Sequence, residues 1–276
     1  MQISMARVMD GLARRRRRCK AASFSACCSR SWAFVVFNLV LLALFLLDGP
    51  VAAYIRVHRL EVRPVGSVIT DFGQSGWILA ASLLICAEAY LAYRLSPSCR
   101  RRFQAAFVGH MALYVFLCVA LSGVTANLLK RVIGRARPVL YDQLGMLSLN
   151  FFAGSSRFES FPSGHATTIG AFMMAMALLA PPFRLVFLVM GLWLGFSRVI
   201  VGAHYPSDVI AGLALGAWFS LVIAILFSRH RLLFRQTGEG WPLLRRPVPL
   251  SLLPPSITYP KPAFRLYGSS SASIRT

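Results

Sequence analysis

Six long apolar runs limit what this chain can become more than any other feature of it. They lie at roughly 31–47, 77–95, 104–128, 162–180, 183–203 and 206–228. A helix needs about 20 apolar residues to cross the hydrocarbon core of a bilayer, and these runs are close to that length. Inside lipid every backbone N–H and C=O must find its partner within the protein, so the runs read as helices. Composition agrees, since 57% of the 276 residues are apolar and only 14% are charged, far from the balance of a water-soluble domain. The expected fold class is all-α, a polytopic membrane protein with six transmembrane helices. Its domain occupies 31–228, flanked by basic tails at 1–30 and 229–276. Both tails read as disordered, the second because proline and then serine dominate from Gln236 onward with no helical period.

A net charge of +21 and the run Arg14–Arg18 raise nucleic acid as a partner. Membrane topology accounts for the charge better, and no nucleic-acid partner is expected. With the N-terminus inside, the tails, Arg94, Arg100–Arg102 and Arg184 all face the cytoplasm, and they hold most of the 30 Lys and Arg residues. That asymmetry is the positive-inside rule, and the basic tails suit anionic headgroups. Both termini are then cytoplasmic. The basic N-terminus, the run Trp32–Leu47 and Val51-Ala52-Ala53 also resemble a signal peptide with its cleavage site. An uncleaved anchor is preferred because the basic region is long and the run is rich in Leu and Phe. Residues 48–76 form an outer loop, with an interfacial amphipathic segment from Tyr54 to Phe72. Of the six cysteines, Cys19, Cys27, Cys28 and Cys99 fall inside and Cys86 and Cys118 within helices, so no structural disulfide is implied.

Against this apolar background three polar stretches stand out: KRVIGRARP (Lys130 to Pro138), FPSGHATT (Phe161 to Thr168) and SRVIVGAHYPSD (Ser197 to Asp208). Ionisable groups at membrane depth are costly and are kept for function by default. From Pro162 inward about 19 residues precede Pro181, and as many run back from Phe183 to Val201; at about 1.5 Å per residue each leg nearly spans one bilayer core. The hairpin therefore returns His204 to the side where His165 began, and Lys130 sits at the same end of the third run. Spacing alone gathers Lys130, Arg137, His165, Arg198, His204 and Asp208 into one cluster.

The cluster has the chemistry of phosphoryl transfer, whose transition state spreads charge over three equatorial oxygens that need fixed cations and donors. Lys130 supplies a point charge, and Arg137 and Arg198 offer planar bidentate forks. Lys130 and Arg137 are seven apart, two turns on one face if the helix continues. Pro162 suits a first helical position, Ser163 offers a hydroxyl, and Gly164 lets an oxygen approach backbone amides at a helix N-terminus. His204 lies four residues before Asp208, with Pro206 opening the last helix; an aspartate on one ring nitrogen leaves the other free to attack phosphorus. His204 is then the nucleophile of a phosphohistidine intermediate. His165 protonates the leaving oxygen and later deprotonates the attacking water. His58 and His110 read as ordinary polar residues, Arg131, Arg135 and Arg157 as headgroup contacts, and Glu88 as either a functional carboxylate or a partner for a neighbouring helix. Carboxylates are sparse on the outer side and no Cys/His set has ligand spacing, so no metal or other cofactor is expected.

Lys130, six residues, Arg137-Pro138; Pro162-Ser163-Gly164-His165; Ser197-Arg198, five residues, His204, three residues, Asp208: this order resembles the three-part signature of the type 2 phosphatidic acid phosphatase superfamily, with every position filled. The signature covers 130–208 and, with its helices, most of 76–228. The resemblance implies a six-helix core, metal-independent hydrolysis and the roles assigned above, and it adds Ser197 to the phosphate-binding set. Soluble haloperoxidases share the signature and hold vanadate, a use the apolar spans argue against. The arrangement is similar to bacterial membrane lipid phosphatases acting on phosphatidate, phosphatidylglycerophosphate, undecaprenyl diphosphate or lipid A. The resemblance therefore implies a phosphorylated membrane lipid as substrate and an inner-membrane enzyme with its site on the periplasmic face. A lipid phosphotransferase using the same intermediate and a non-enzymatic anion-binding membrane protein are the alternatives.

Overall fold

The computed structural model describes residues 26–58, 73–237 and 240–246. The expected disorder at 1–25 and 247–276, and the amphipathic reading of 59–72, fall outside the described residues. Eight α-helices are described: α1 Ala26–Leu46, α2 Asp48–His58, α3 Ser75–Leu95, α4 Cys99–Ile133, α5 Tyr141–Leu144, α6 Gly164–Leu179, α7 Arg184–Ile200 and α8 Pro206–Arg229. Five stretches are long and apolar enough to cross a membrane: Ser29–Leu46, Ser75–Leu95, Cys99–Ile133, Pro181–Ile200 and Pro206–Arg229. The protein is a multi-pass helical membrane protein. The fourth apolar run forms α6, which has only 16 residues and rises about 24 Å. Most of its residues are buried among neighbouring helices, so α6 has to match protein surfaces more than lipid along its length.

The centre of the bundle is the pair α6 and α8, and small residues set its spacing. A Cβ on Gly216 would collide with the Thr167 carbonyl oxygen, and one on Gly212 would lie 2.5 Å from the Ser163 carbonyl oxygen. Gly212 and Gly216 are four apart, the spacing that lets helix backbones approach in membranes. Ser220 Oγ, one turn further on, donates to the Ala171 carbonyl at 2.7 Å. This close approach holds the N-termini of α6 and α8 together, and the Ser163 N–H donates to the Asp208 carbonyl at 3.1 Å.

At the opposite end the bundle is closed by aromatic and aliphatic side chains. Tyr114 of α4 is fully buried, with its ring 5.6 Å from Phe227 and 5.0 Å from Phe234. Phe234 begins β1, Phe234–Gln236, which pairs antiparallel with β2, Pro242–Leu244. Leu233 and Phe234 are 0% exposed. Part of the segment expected to be disordered is therefore folded. Its apolar residues Leu232, Leu233, Phe234 and Leu244 belong to the core between α4, α6 and α8, and a strand pair too short to show periodicity leaves little sequence signal.

Two further expectations change. The stretch after the first apolar run was read as an outer loop, yet Asp48–His58 is a helix docked on the bundle, with Ile55 in a cluster with Ala166, Val199 and Val209. The third helix also stops earlier than a shared face for Lys130 and Arg137 requires. Gly134 caps α4 at φ +60°, a left-handed conformation that glycine adopts without a Cβ clash. Arg137 follows in extended backbone, not on the helix.

Candidate active site

After Gly134 the chain threads between the segments 148–150 and 157–160. The Asn150 N–H donates to the Gly134 carbonyl, Ala136 to Ser148, Arg137 to Arg157, and Ser160 to Arg135, at 2.7 to 3.0 Å. This weave fixes Arg137 and Ser160 relative to the end of α4. Arg137 Nε is buried and has no hydrogen-bond partner among the described residues, an arrangement that suits an anion. Lys130, in the last turn of α4, extends across to α6, so a Cβ on Gly164 would lie 2.9 Å from its Nζ. Gly164 thus makes room for the ammonium at the helix N-terminus. The helix begins at Gly164, two residues later than the Pro162 start expected. Ser163 is the N-cap, its Oγ accepting from the Ala166 N–H at 3.4 Å, and Pro162 precedes the cap.

The six clustered residues meet. Arg198, His204, Lys130 and Arg137 all lie near enough to act electrostatically on His165, and Arg137, Glu159, Arg198 and Asp208 act on Lys130. Arg198, in the last turn of α7, is 9% exposed. Ser197 beside it is buried and donates its hydroxyl to the Leu194 carbonyl at 2.6 Å, so that proton is engaged within its own helix.

His204 is 3% exposed and sits just before Tyr205, the N-cap of α8. Its Nδ1 lies 2.8 Å from the Ser160 carbonyl and 3.7 Å from Asp208 Oδ2. The short partner is therefore a backbone carbonyl, where the sequence suggested the aspartate. A carbonyl only accepts, so Nδ1 carries the proton and Nε2 keeps its lone pair. Asp208 is held by other donors. Oδ2 accepts from Ser160 Oγ at 2.6 Å and from the Tyr205 N–H at 3.0 Å, and Oδ1 accepts from Arg135 Nη1 at 2.6 Å. Burial lowers the His204 pKa; Asp208 works against that shift, while Arg137 and Arg198 add to it. The imidazole is neutral, as a nucleophile must be.

Arg135 was read from sequence as a headgroup contact, and here the structure differs most. It is 4% exposed and forms buried ion pairs with Asp208 and with Asp48 at the start of α2. Burial opposes its charge, but Asp208 and Asp48 more than offset that, and its pKa is raised. Sequence reasoning missed Asp48, Ser160 and Ser207 altogether. One signal was available for Asp48: a lone acid placed directly after an apolar run, on the side where buried cations gather.

A cavity of about 310 Å³ opens beside His204. Val51, Ile55 and Arg56 of α2, with Val139 and Tyr205, line it. Arg56 pairs with Asp142 of α5 at its edge. Its lining is more polar than apolar, which suits a polar headgroup lying beside His204.

Residues 111–232 match the family model described as PAP2 superfamily. The chain is 49% identical over 213 residues to a lipid A 1-phosphatase of Rhizobium johnstonii, covering 77% of this chain and 86% of that one. It is 31% identical over 191 residues to a decaprenylphosphoryl-5-phosphoribose phosphatase of Mycobacterium tuberculosis, covering 63% and 89%. Among solved structures it is similar to a transmembrane PAP2-type phosphatidylglycerolphosphate phosphatase from Bacillus subtilis, at 20% identity and a TM-score of 0.42, covering 69% of this chain and 92% of that one.

Proposed function

Since the chain belongs to the PAP2 superfamily and is a membrane lipid phosphatase, we propose that it hydrolyses the phosphate of a lipid A-type glycolipid through a phosphohistidine on His204. The carrying observation is the His204 ring, held through Nδ1 by the Ser160 carbonyl with Arg137 and Arg198 close by. The headgroup phosphate docks on Lys130, Arg137 and Arg198, with the α6 N-terminus supplying amides at Gly164. Ser163 holds that N-terminus in shape, and Ser197 backs Arg198. Nε2 attacks phosphorus, forming a P–N bond as the P–O bond to the lipid breaks. The docked phosphate offsets the cations around His165, so that His165 enters protonated and gives that proton to the leaving oxygen. The imidazolium that forms is stabilised by Asp208, 3.7 Å from Nδ1. His165, now basic, takes a proton from water; the hydroxide attacks phosphorus, the P–N bond breaks and phosphate leaves. No metal takes part.

Similarity to lipid A 1-phosphatases over most of both chains supports lipid A over the other lipids in the sequence reading. The cavity beside α2 then takes the sugar, with the acyl chains left in lipid. The positive-inside distribution supports an inner-membrane protein with both termini in the cytoplasm and the site on the periplasmic side. The test is inorganic phosphate release by the purified full-length protein from lipid A, phosphatidate, phosphatidylglycerophosphate and undecaprenyl diphosphate, with and without EDTA. Release from lipid A at least about tenfold faster than from the others, unaffected by EDTA, is expected. Preference for another lipid overturns the substrate. Phosphate transfer to an added acceptor, with none released in its absence, overturns hydrolysis.

A further inference from the structure

Asp48 lies outside the three signature stretches and outside residues 111–232, yet it is 0% exposed and reaches the catalytic centre. Both of its oxygens are engaged. Oδ1 accepts from the Ser207 N–H at 3.0 Å; Oδ2 accepts from Ser207 Oγ at 2.5 Å and from Arg135 Nη2 at 2.8 Å. Arg135 is fully used as well. Nη1 donates to Asp208 Oδ1 at 2.6 Å and to Ser207 Oγ at 2.7 Å. Nε and Nη2 donate to the Met146 carbonyl at 3.2 and 3.1 Å. All five N–H bonds of the guanidinium thus have acceptors, and its planar face lies over the Tyr205 ring, 4.4 Å from the centroid. A group held on every edge and one face has a single orientation, and it fixes Asp208 with it.

Charge gives the arrangement its direction. Asp208 must stabilise the positive ring that forms when His204 bonds to phosphorus. An arginine paired with Asp208 alone would cancel most of that field at the ring. A second carboxylate on the same guanidinium leaves the trio with one net negative charge, and Asp208 is its member nearest His204. On the reading of His204 as nucleophile, we propose that Asp48 is a positioning residue of the phosphatase. Acting through Arg135, it sets the orientation of Asp208 and preserves its charge behind the reacting histidine. The first two helices therefore belong to the catalytic apparatus.

The groups facing His204 are Asp208 of α8, Arg137 after α4, Arg198 of α7 and His165 of α6, so a change in the Asp48–Arg135 pair is read against a known set. The experiment uses purified full-length protein in detergent and phosphate release from lipid A, or from whichever lipid of the panel is turned over fastest. In Asp48→Asn, kcat falls about 10- to 100-fold, the range found when groups that orient a reactive ligand are lost, with KM changed less than twofold. One negative charge fewer near His204 moves the acid limb of kcat/KM to lower pH. Arg135→Met removes a positive charge and moves the limb to higher pH, so either variant decides if the other fails to accumulate. In the double variant the loss is no greater than the larger single loss, because the two residues act as one unit. A purely structural Asp48 would lower yield or melting temperature with wild-type kcat and limb in the surviving protein, and that result overturns the proposal. So do independent losses that multiply in the double variant. His204→Ala is assayed alongside. Retained turnover there sinks the phosphohistidine reading itself, whereas a dead His204→Ala beside a fully active Asp48→Asn sinks only the role of Asp48.

Discussion

The two ends of the α4–α6–α8 bundle solve opposite problems with the same three helices. At one end Asp48, Arg135, His204, Asp208 and Ser207 are buried and linked by hydrogen bonds. At the other, Tyr114, Phe227, Leu233 and Phe234 make an apolar plug in which the Tyr114 hydroxyl donates to the Ser220 carbonyl at 2.9 Å. Buried ion pairs contribute little net stability because desolvation offsets their attraction, while breaking one leaves a charge stranded. Apolar packing stabilises outright. One end is thus built for chemistry at no gain in stability, and the other supplies the stability that holds it in place.

The largest effect should come from His204→Ala, which removes the proposed nucleophile. A loss of about 10,000-fold or more in kcat is expected, with unchanged elution in size-exclusion chromatography; near-normal turnover would show that the polar end is not the reaction centre. Phe234→Ala should do the reverse. Removing a fully buried ring destabilises by about 3 kcal/mol or more, visible as a lower midpoint in thermal melts, with kcat per folded molecule unchanged. A changed kcat would mean that the two ends are coupled. Gly164→Ala tests the polar end more gently: the new Cβ displaces Lys130 Nζ and should lower kcat/KM about tenfold, since small misplacements of a charged group at a reacting centre are costly, without moving the melt.

The smallest effect is in pH. The folded-state pKa of His204 is lowered from about 6.5, so the ring stays neutral into mildly acid solution and the acid limb of kcat/KM should lie below pH 6.5. Linkage has the same sign. Below about 6.5 the unfolded chain takes up the proton first, so this group's contribution to stability is present above that pH and declines as pH falls. A limb above 6.5 would require His204 to be charged in the resting enzyme, against the burial that lowers it.

Much of the polar end could be read in the sequence, and little of the apolar one. Hydropathy shows the membrane runs because lipid imposes a length, and the hairpin of α6 and α7 brings His165 and His204 together because the two legs are of nearly equal length, 16 and 17 residues. Glycines 212 and 216 carry the signal for close packing. What escaped was whatever hangs on a single backbone turn or on the far end of a side chain. Gly134 ends α4 and removes Arg137 from the face it was expected to share with Lys130. The Ser160 carbonyl, which holds His204, has no sequence signature at all, since every residue has a carbonyl. Arg131, Arg135 and Arg157 look alike as letters, and only the fold separates the buried Arg135 from the two exposed ones. The plug at the other end was missed because three-residue strands are too short to show a period.

Asp48 also bears on how the protein matures. A leader peptidase cutting after Val51-Ala52-Ala53 would carry away this acid along with the hydrophobic leader. Arg135 would then be left with one counterion in a dry interior. On the proposed role of Asp48 the leader stays attached in the working enzyme, and the expected outcome is a mass spectrum of the active protein that still contains residues 26–53.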